Sequence, residues 1–272
     1  MEMENRQESY EEKISHNEDQ LDGKAHNNEQ NGNDPSPKHT LDDISEKTKA
    51  IQQKKKRKKR QKKIFKNIAK AISFIFFPLL IPVYGTLMLF NMKLFSYYPT
   101  QYVASARNTI FIFGIIFPCV MFVILKLFKA ISDIRVPRKE ERLIPFLVIG
   151  LCYLYCAYML YHYAMPLWVI NMILSVSIVI FLESVISQFW RISGHATSMG
   201  MLIGAIMVTS YCTYTNLCFL LCLFFVIAGI VASARLYLKR HTLAQLLVGF
   251  FFGLCSVILV SILNPGRIFR LF

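Results

Sequence analysis

The sequence predicts an all-α protein: a polytopic transmembrane helical bundle of six to seven spans behind a disordered N-terminal tail. Three observations predict it. Of the 272 residues, 54% are hydrophobic and the mean hydropathy is +0.39, above the roughly 45–50% apolar content of soluble domains. The excess is concentrated after Lys66, where several runs approach the roughly 20 apolar residues that cross a bilayer. The charge is also unevenly spread. The net charge is +14, yet 13 of the 17 acidic residues fall within residues 1–50, leaving Asp133, Glu140, Glu141 and Glu183 for the rest.

Residues 1–53 are rich in Glu, Asn, Gln, Asp and Lys and nearly lack aromatics. Such a segment cannot bury enough apolar surface to offset its ordering entropy, so disorder is expected. It does not read as a signal peptide, because no short apolar core follows the N-terminus. Residues 54–66 contain the almost unbroken cationic run from Lys54 to Lys63. Nucleic acid, a targeting receptor or anionic lipid could each receive such a run. A membrane segment begins a few residues on, which favours a juxtamembrane anchor on anionic headgroups, at roughly 1 kcal/mol per cation, and no nucleic-acid partner is expected. Phe65, Ile68, Ile72 and Phe76 recur at helical spacing among Lys62, Lys63, Lys66 and Lys70, the pattern of a helix entering through the interface.

Residues 67–272 form the membrane domain. Its apolar segments are 68–92, 108–128, 143–163, 166–184, 196–212, 216–234 and 242–263. The first contains Pro78 and Pro82, which kink or break a helix, so it reads as a broken span or a re-entrant hairpin. Segments four to six are short for a span. The loops at 129–142, 185–195 and 235–241 carry most of the remaining cations, whereas the turns at 162–166 and 213–215 carry no Lys or Arg. Two spans separate each basic loop from the next, so the three share one membrane face. If every segment spans, the positive-inside rule makes that face cytoplasmic, together with the tail, in a membrane expected to be a bacterial inner membrane; if the first segment is re-entrant, the face flips while the tail stays inside. The seven cysteines lie in or at the ends of apolar runs with no metal-like grouping with histidine, and helix packing accounts for them.

Three strings in the basic loops carry chemistry. Arg135, Arg138, Lys139 and Arg142 put four cations in eight residues. On a helix, Arg135 and Arg142 would face the same way two turns apart, able to grip one phosphate with two planar forks; a solvated, topology-setting loop is the alternative. Ser193-Gly194-His195 opens the fifth segment, where unsatisfied backbone N–H groups attract an anion and Gly194 lets the main chain approach it. His195 can give or take a proton near neutral pH; a serine N-cap with an interfacial histidine is the alternative. Arg235 and His241 bracket the break before the last segment. Six residues do not put them on one face of a straight helix, so pairing them requires a bend, and a neutral imidazole there is a competent nucleophile toward phosphorus. Snorkelling cations with a helix-cap histidine are the alternative.

The order Lys/Arg-x6-Arg, Ser-Gly-His, Arg-x5-His resembles the three-part signature of the type 2 phosphatidic acid phosphatases, membrane relatives of the vanadium haloperoxidases. It is carried by Arg135 and Arg142, Ser193-Gly194-His195, and Arg235 with His241, over roughly residues 70–265. The resemblance implies a phosphatase-like core in which His241 attacks phosphorus and His195 protonates the leaving group. Arg135, Arg142, Arg235, Ser193 and the Gly194 backbone would bind the phosphoryl oxygens. It implies no metal and no cofactor. The chain departs from the family pattern at Arg135 (usually Lys), at Leu143 and Ile192 (each Pro), at Ala234 (Ser) and at Gln245. In the family the last position is an Asp that orients the nucleophilic imidazole; here Gln245 can accept a ring N–H without charge, and Glu183 is a second candidate to orient it. The implied function is hydrolysis of a phosphomonoester or pyrophosphate on a lipid or isoprenyl tail. A non-catalytic lipid-phosphate binder and a lipid phosphotransferase are the alternatives.

Overall fold

A computed structural model describes residues 37–128 and 143–263. All regular structure among them is helical, and six helices are long and apolar enough to cross a membrane. The chain divides into two compact units, up to Gln61 and from Lys62 onward.

The described part of the first unit belongs to helix α1, Pro37–Ile75. Residues 37–53 are therefore helical. Gln, Lys and Arg, which fill positions 52–63, are good helix formers, and local propensity wins where no core competes. The side chains from Lys54 to Lys63 are exposed.

In the second unit α1 ends at Ile75 and α2 runs Leu80–Phe90. The axes differ by 60° across this break. Pro78 is the cause: it lacks an N–H and pushes the residue before it out of the helical region. Pro82 breaks nothing, contrary to expectation. It lies in the first turn of α2, where its N–H would have had no partner. A 3₁₀ turn at Lys93–Phe95 leads to α3, Thr100–Leu127, which starts eight residues before the apolar segment predicted at 108. Within α3 the stretch Ile112–Ile116 is a π-turn, followed by Pro118. Pro118 cannot donate to the Gly114 carbonyl, and the buried Tyr153 hydroxyl stands 3.4 Å from that oxygen and 3.1 Å from Leu79 O. One phenol thus fastens the π-turn to the α1–α2 break.

Then come α4 (Leu143–His162), α5 (Leu167–Phe189), α6 (Gly194–Thr213), α7 (Cys218–Tyr237) and α8 (Leu243–Leu263). The expected spans hold, with shifted ends. α5 continues past 184 to Phe189, which removes its apparent shortness, and α7 carries Arg235 inside its last turn. α5 and α6 are central and mostly buried, whereas α7 is largely exposed. The core falls into two clusters: one joins α2, α3, α4 and α5 around Tyr153, Leu160 and Ile170, and the other joins α2, α6 and α7 around Ile81, Ile203 and Val231. The most extensive pairings are α6 with α8 and α4 with α5.

Candidate functional site

The site is built on the heads of α6 and α8, and glycine fixes those helices against each other. α6 carries Gly200 and Gly204, and α8 carries Gly249 and Gly253, each pair four residues apart. A Cβ on Gly200 would collide with the Phe250 carbonyl, and one on Gly253 with the Thr197 carbonyl. Membrane helices gain little from burying apolar surface against each other, so close backbone approach through small residues is what joins them. Gly249 carries the contact up to the site: a Cβ there would stand 3.1 Å from Ser193 O and 3.0 Å from Ile192 Cγ2.

Ser193 is the N-cap residue of α6. Its carbonyl accepts the amides of Ala196 at 2.9 Å and Thr197 at 3.0 Å, but its hydroxyl makes no capping bond. That Oγ is buried without a hydrogen-bond partner, beside the first N–H groups of the helix. The His195 ring points back toward α1. Its Nε2 lies 3.0 Å from Ser73 O, and Phe77 meets the ring edge-on at 6.3 Å. A carbonyl oxygen only accepts, so Nε2 carries the hydrogen and the neutral ring keeps its lone pair on Nδ1.

The α7–α8 connection supplies the bend that Arg235 and His241 require. Lys239 adopts the left-handed conformation with φ 52°. The Arg240 amide donates to Arg235 O at 3.2 Å and the Lys239 amide to Leu236 O at 2.9 Å, a Schellman closure that turns the chain immediately after Arg235. α8 then opens with a capping box. Thr242 Oγ1 accepts the Gln245 amide at 3.4 Å, and Gln245 Oε1 accepts the Thr242 amide at 3.2 Å. The same Oε1 lies 3.3 Å from His241 Nδ1. An oxygen receiving one backbone N–H is an acceptor, so the His241 proton sits on Nδ1 and its lone pair on Nε2. Gln245 therefore does two jobs, capping α8 and setting the tautomer of His241.

These loops come together. His195 lies within electrostatic reach of Arg235 and His241, and Arg235 within reach of Arg191 and Arg240. The Arg235 Nε is buried without a partner. Ser193, Gly194, His195, Arg235, His241 and Gln245 thus gather at one end of the bundle, while Arg135 and Arg142 lie outside the described residues. Arg191 and Arg240 were not among the predicted site residues. Their signal was available, since each stands within two residues of Ser193 or His241 in the same strings.

Glu183 belongs to a different part of the site. It comes down α5 beside the Ser-Gly-His turn, its Oε2 3.9 Å from where a Gly194 Cβ would be. The Thr197 hydroxyl lies between Glu183 and Ser193 O, the latter 3.3 Å away, and Glu183 Oε1 is buried without a partner. Glu183, Gly194, Thr197 and Ser198 form the polar corner of a chamber of about 170 Å³ whose walls include Phe122, Phe146, Tyr153, Val179 and Met201. Among the described residues no three His, Cys, Asp or Glu side chains gather as a metal-ligand group. Comparisons with protein-family models, curated proteins and solved structures find no match.

Proposed function

We propose that the chain is an integral-membrane lipid-phosphate phosphatase with a type 2 phosphatidic acid phosphatase-like core, acting on a phosphomonoester or pyrophosphate borne by a lipid or isoprenyl tail. One observation carries the reading: Arg235 Nε and Ser193 Oγ are both buried without partners beside two histidines. A buried unsatisfied donor costs about 1–3 kcal/mol, and a phosphoryl group would satisfy both while drawing on the positive end of α6.

In this scheme His241 Nε2 attacks phosphorus and the bond from phosphorus to the lipid oxygen breaks. The Nδ1–H to Gln245 Oε1 bond holds the ring through the step. The phosphoryl charge is met by Arg235, Ser193 and the first amides of α6, with Arg191 and Arg240 adding to the positive field. His195 anchors its Nε2–H on Ser73 O, so it acts through Nδ1. In the imidazolium form Nδ1–H protonates the departing oxygen. The neutral ring then takes a proton from the water that attacks the phosphohistidine, the P–N bond breaks, and His241 regains its lone pair. Arg135 and Arg142 would complete the phosphate grip. The exposed cations from Lys54 to Lys63 would rest on anionic headgroups of a bacterial inner membrane, with the tail cytoplasmic.

Phosphate release from a panel of lipid phosphates by detergent-solubilised protein tests the reading. Wild type should release phosphate and His241→Ala should release none above background. An active His241→Ala protein would overturn the mechanism. Wild-type protein that binds phosphatidic acid yet releases nothing would identify a binder instead.

A further inference from the structure

Glu183 has no place in the phosphoryl-transfer scheme, yet it is the one acidic side chain among the described residues from Lys62 onward. In its ionised form a carboxyl group beside an anion site works against phosphate binding by Coulomb repulsion. Its Oε1 is also an acceptor buried without a partner, a cost that persists unless something donates to it. Glu183 belongs to the lining of the chamber. Apart from its polar corner that chamber is apolar, and its roughly 170 Å³ is comparable to a cavity that admits a benzene-sized group. Gly194 joins the two compartments. Its main chain belongs to the Ser193–His195 turn, and its Cα faces the Glu183 carboxyl group and Pro78 without a side chain between them.

We propose that the ligand of this site carries a hydrogen-bond donor, an ammonium or a hydroxyl, on the carbon chain close to its phosphate, and that Glu183 Oε1 receives it while the adjoining apolar carbons fill the chamber. The inference rests on the phosphate reading of Arg235 and Ser193. It adds a substrate class: amphiphiles bearing a polar donor next to the phosphate, in preference to plain alkyl or prenyl phosphates. Thr197 supports the recognition by holding the carboxyl group between α5 and α6.

The test uses full-length protein in detergent and three phosphonates with the same tail. Each is non-hydrolysable, and they bear an amino group, a hydroxyl or only hydrogen beside the phosphonate-bearing carbon. Calorimetry of wild type should show the amino and hydroxyl ligands binding about tenfold tighter than the hydrogen ligand. Glu183→Leu should abolish the difference. Glu183→Gln, which keeps the shape and an acceptor oxygen, should keep the hydroxyl preference and lose most of the amino preference. Should Glu183→Leu fail to fold, this split in Glu183→Gln carries the test. Equal affinities in wild type, or a preference surviving in Glu183→Leu, would overturn the proposal. The matching phosphate esters assayed in parallel separate it from the phosphatase reading. Release with no binding preference sinks the Glu183 site alone, while preference with no release sinks the hydrolytic reading alone.

Discussion

The α6–α8 and α4–α5 pairs are both joined through glycine, but the glycines face different things. Gly200 and Gly253 face backbone across the helix interface. Gly150, on α4, faces the Phe181 ring of α5, whose Cε1 would be 2.6 Å from an added Cβ, while Ser177 Oγ on α5 donates to Gly150 O at 2.7 Å. A backbone cannot step aside, whereas a ring on a flexible side chain can. The α6–α8 pair therefore holds its two heads in one geometry, and those heads carry His195 and His241. The α4–α5 pair can give locally, and it walls the chamber. Rigid seating of His195 and His241 and tolerance around the chamber are thus assigned to different helix pairs.

The strongest way to break this contrast is the same substitution at both places. Gly253→Ala places a methyl group on the Thr197 carbonyl and should cost about 3 kcal/mol or more, the upper end of overpacking penalties. Gly150→Ala meets only the Phe181 ring and regains about 0.5–1 kcal/mol of helix propensity, so it should fall within about 1 kcal/mol of wild type. Thermal unfolding in detergent monitored by circular dichroism would compare them. Equal losses would mean that the two interfaces do not differ in the way described.

A smaller effect separates chemistry from seating. Gln245→Ala removes both the cap of α8 and the acceptor for His241 Nδ1. It should cost about 1 kcal/mol of stability and, under the proposed mechanism, about tenfold or more in phosphate release. Ser177→Ala is its counterpart on α5. It removes the bond to Gly150 O at a similar stability cost, with phosphate release unchanged. Gln245→Glu keeps the length and the cap but supplies the charge that steadies an imidazolium, so it should release phosphate several-fold faster than wild type. A slower Gln245→Glu protein would show that the neutral amide is required at this position.

How much of this was legible in the sequence follows from how local each feature is. The break at Pro78 could be read directly, because proline acts on its own neighbours. The bend between Arg235 and His241 was legible as a geometric need, but not its means, since Lys239 takes a conformation that glycine usually fills. Gln245 stood out as a departure from a family pattern. Its second role as a capping residue follows from Thr242 three residues earlier and was equally present in the string. The facing of Gly200 with Phe250 and of Gly253 with Thr197 was not legible, because glycines four apart on two helices do not say which helices meet. Nor was the chamber beside Glu183, which depends on Phe122, Phe146 and Val179 arriving from three different helices.

The smallest expected effect compares the turns that close the two regions. Ala164 after α4 and Lys239 after α7 both sit at φ near 50° in the same Schellman arrangement. At the first turn the Met165 amide donates to Leu160 O at 3.1 Å and the Ala164 amide to Tyr161 O at 2.9 Å. A side chain in this conformation costs about 1–2 kcal/mol, and glycine returns part of that by widening the unfolded ensemble. Ala164→Gly and Lys239→Gly should each therefore stabilise the fold by roughly 0.5 kcal/mol. The two should part in function. Ala164→Gly acts at the chamber pair, on a turn whose helix carries no reacting group, and should leave phosphate release unchanged. Lys239→Gly relieves the turn that leads into His241, so under the proposed mechanism its stability gain should come with a lower affinity for lipid phosphate. Equal effects on phosphate release would show that the strain at Lys239 serves only the fold.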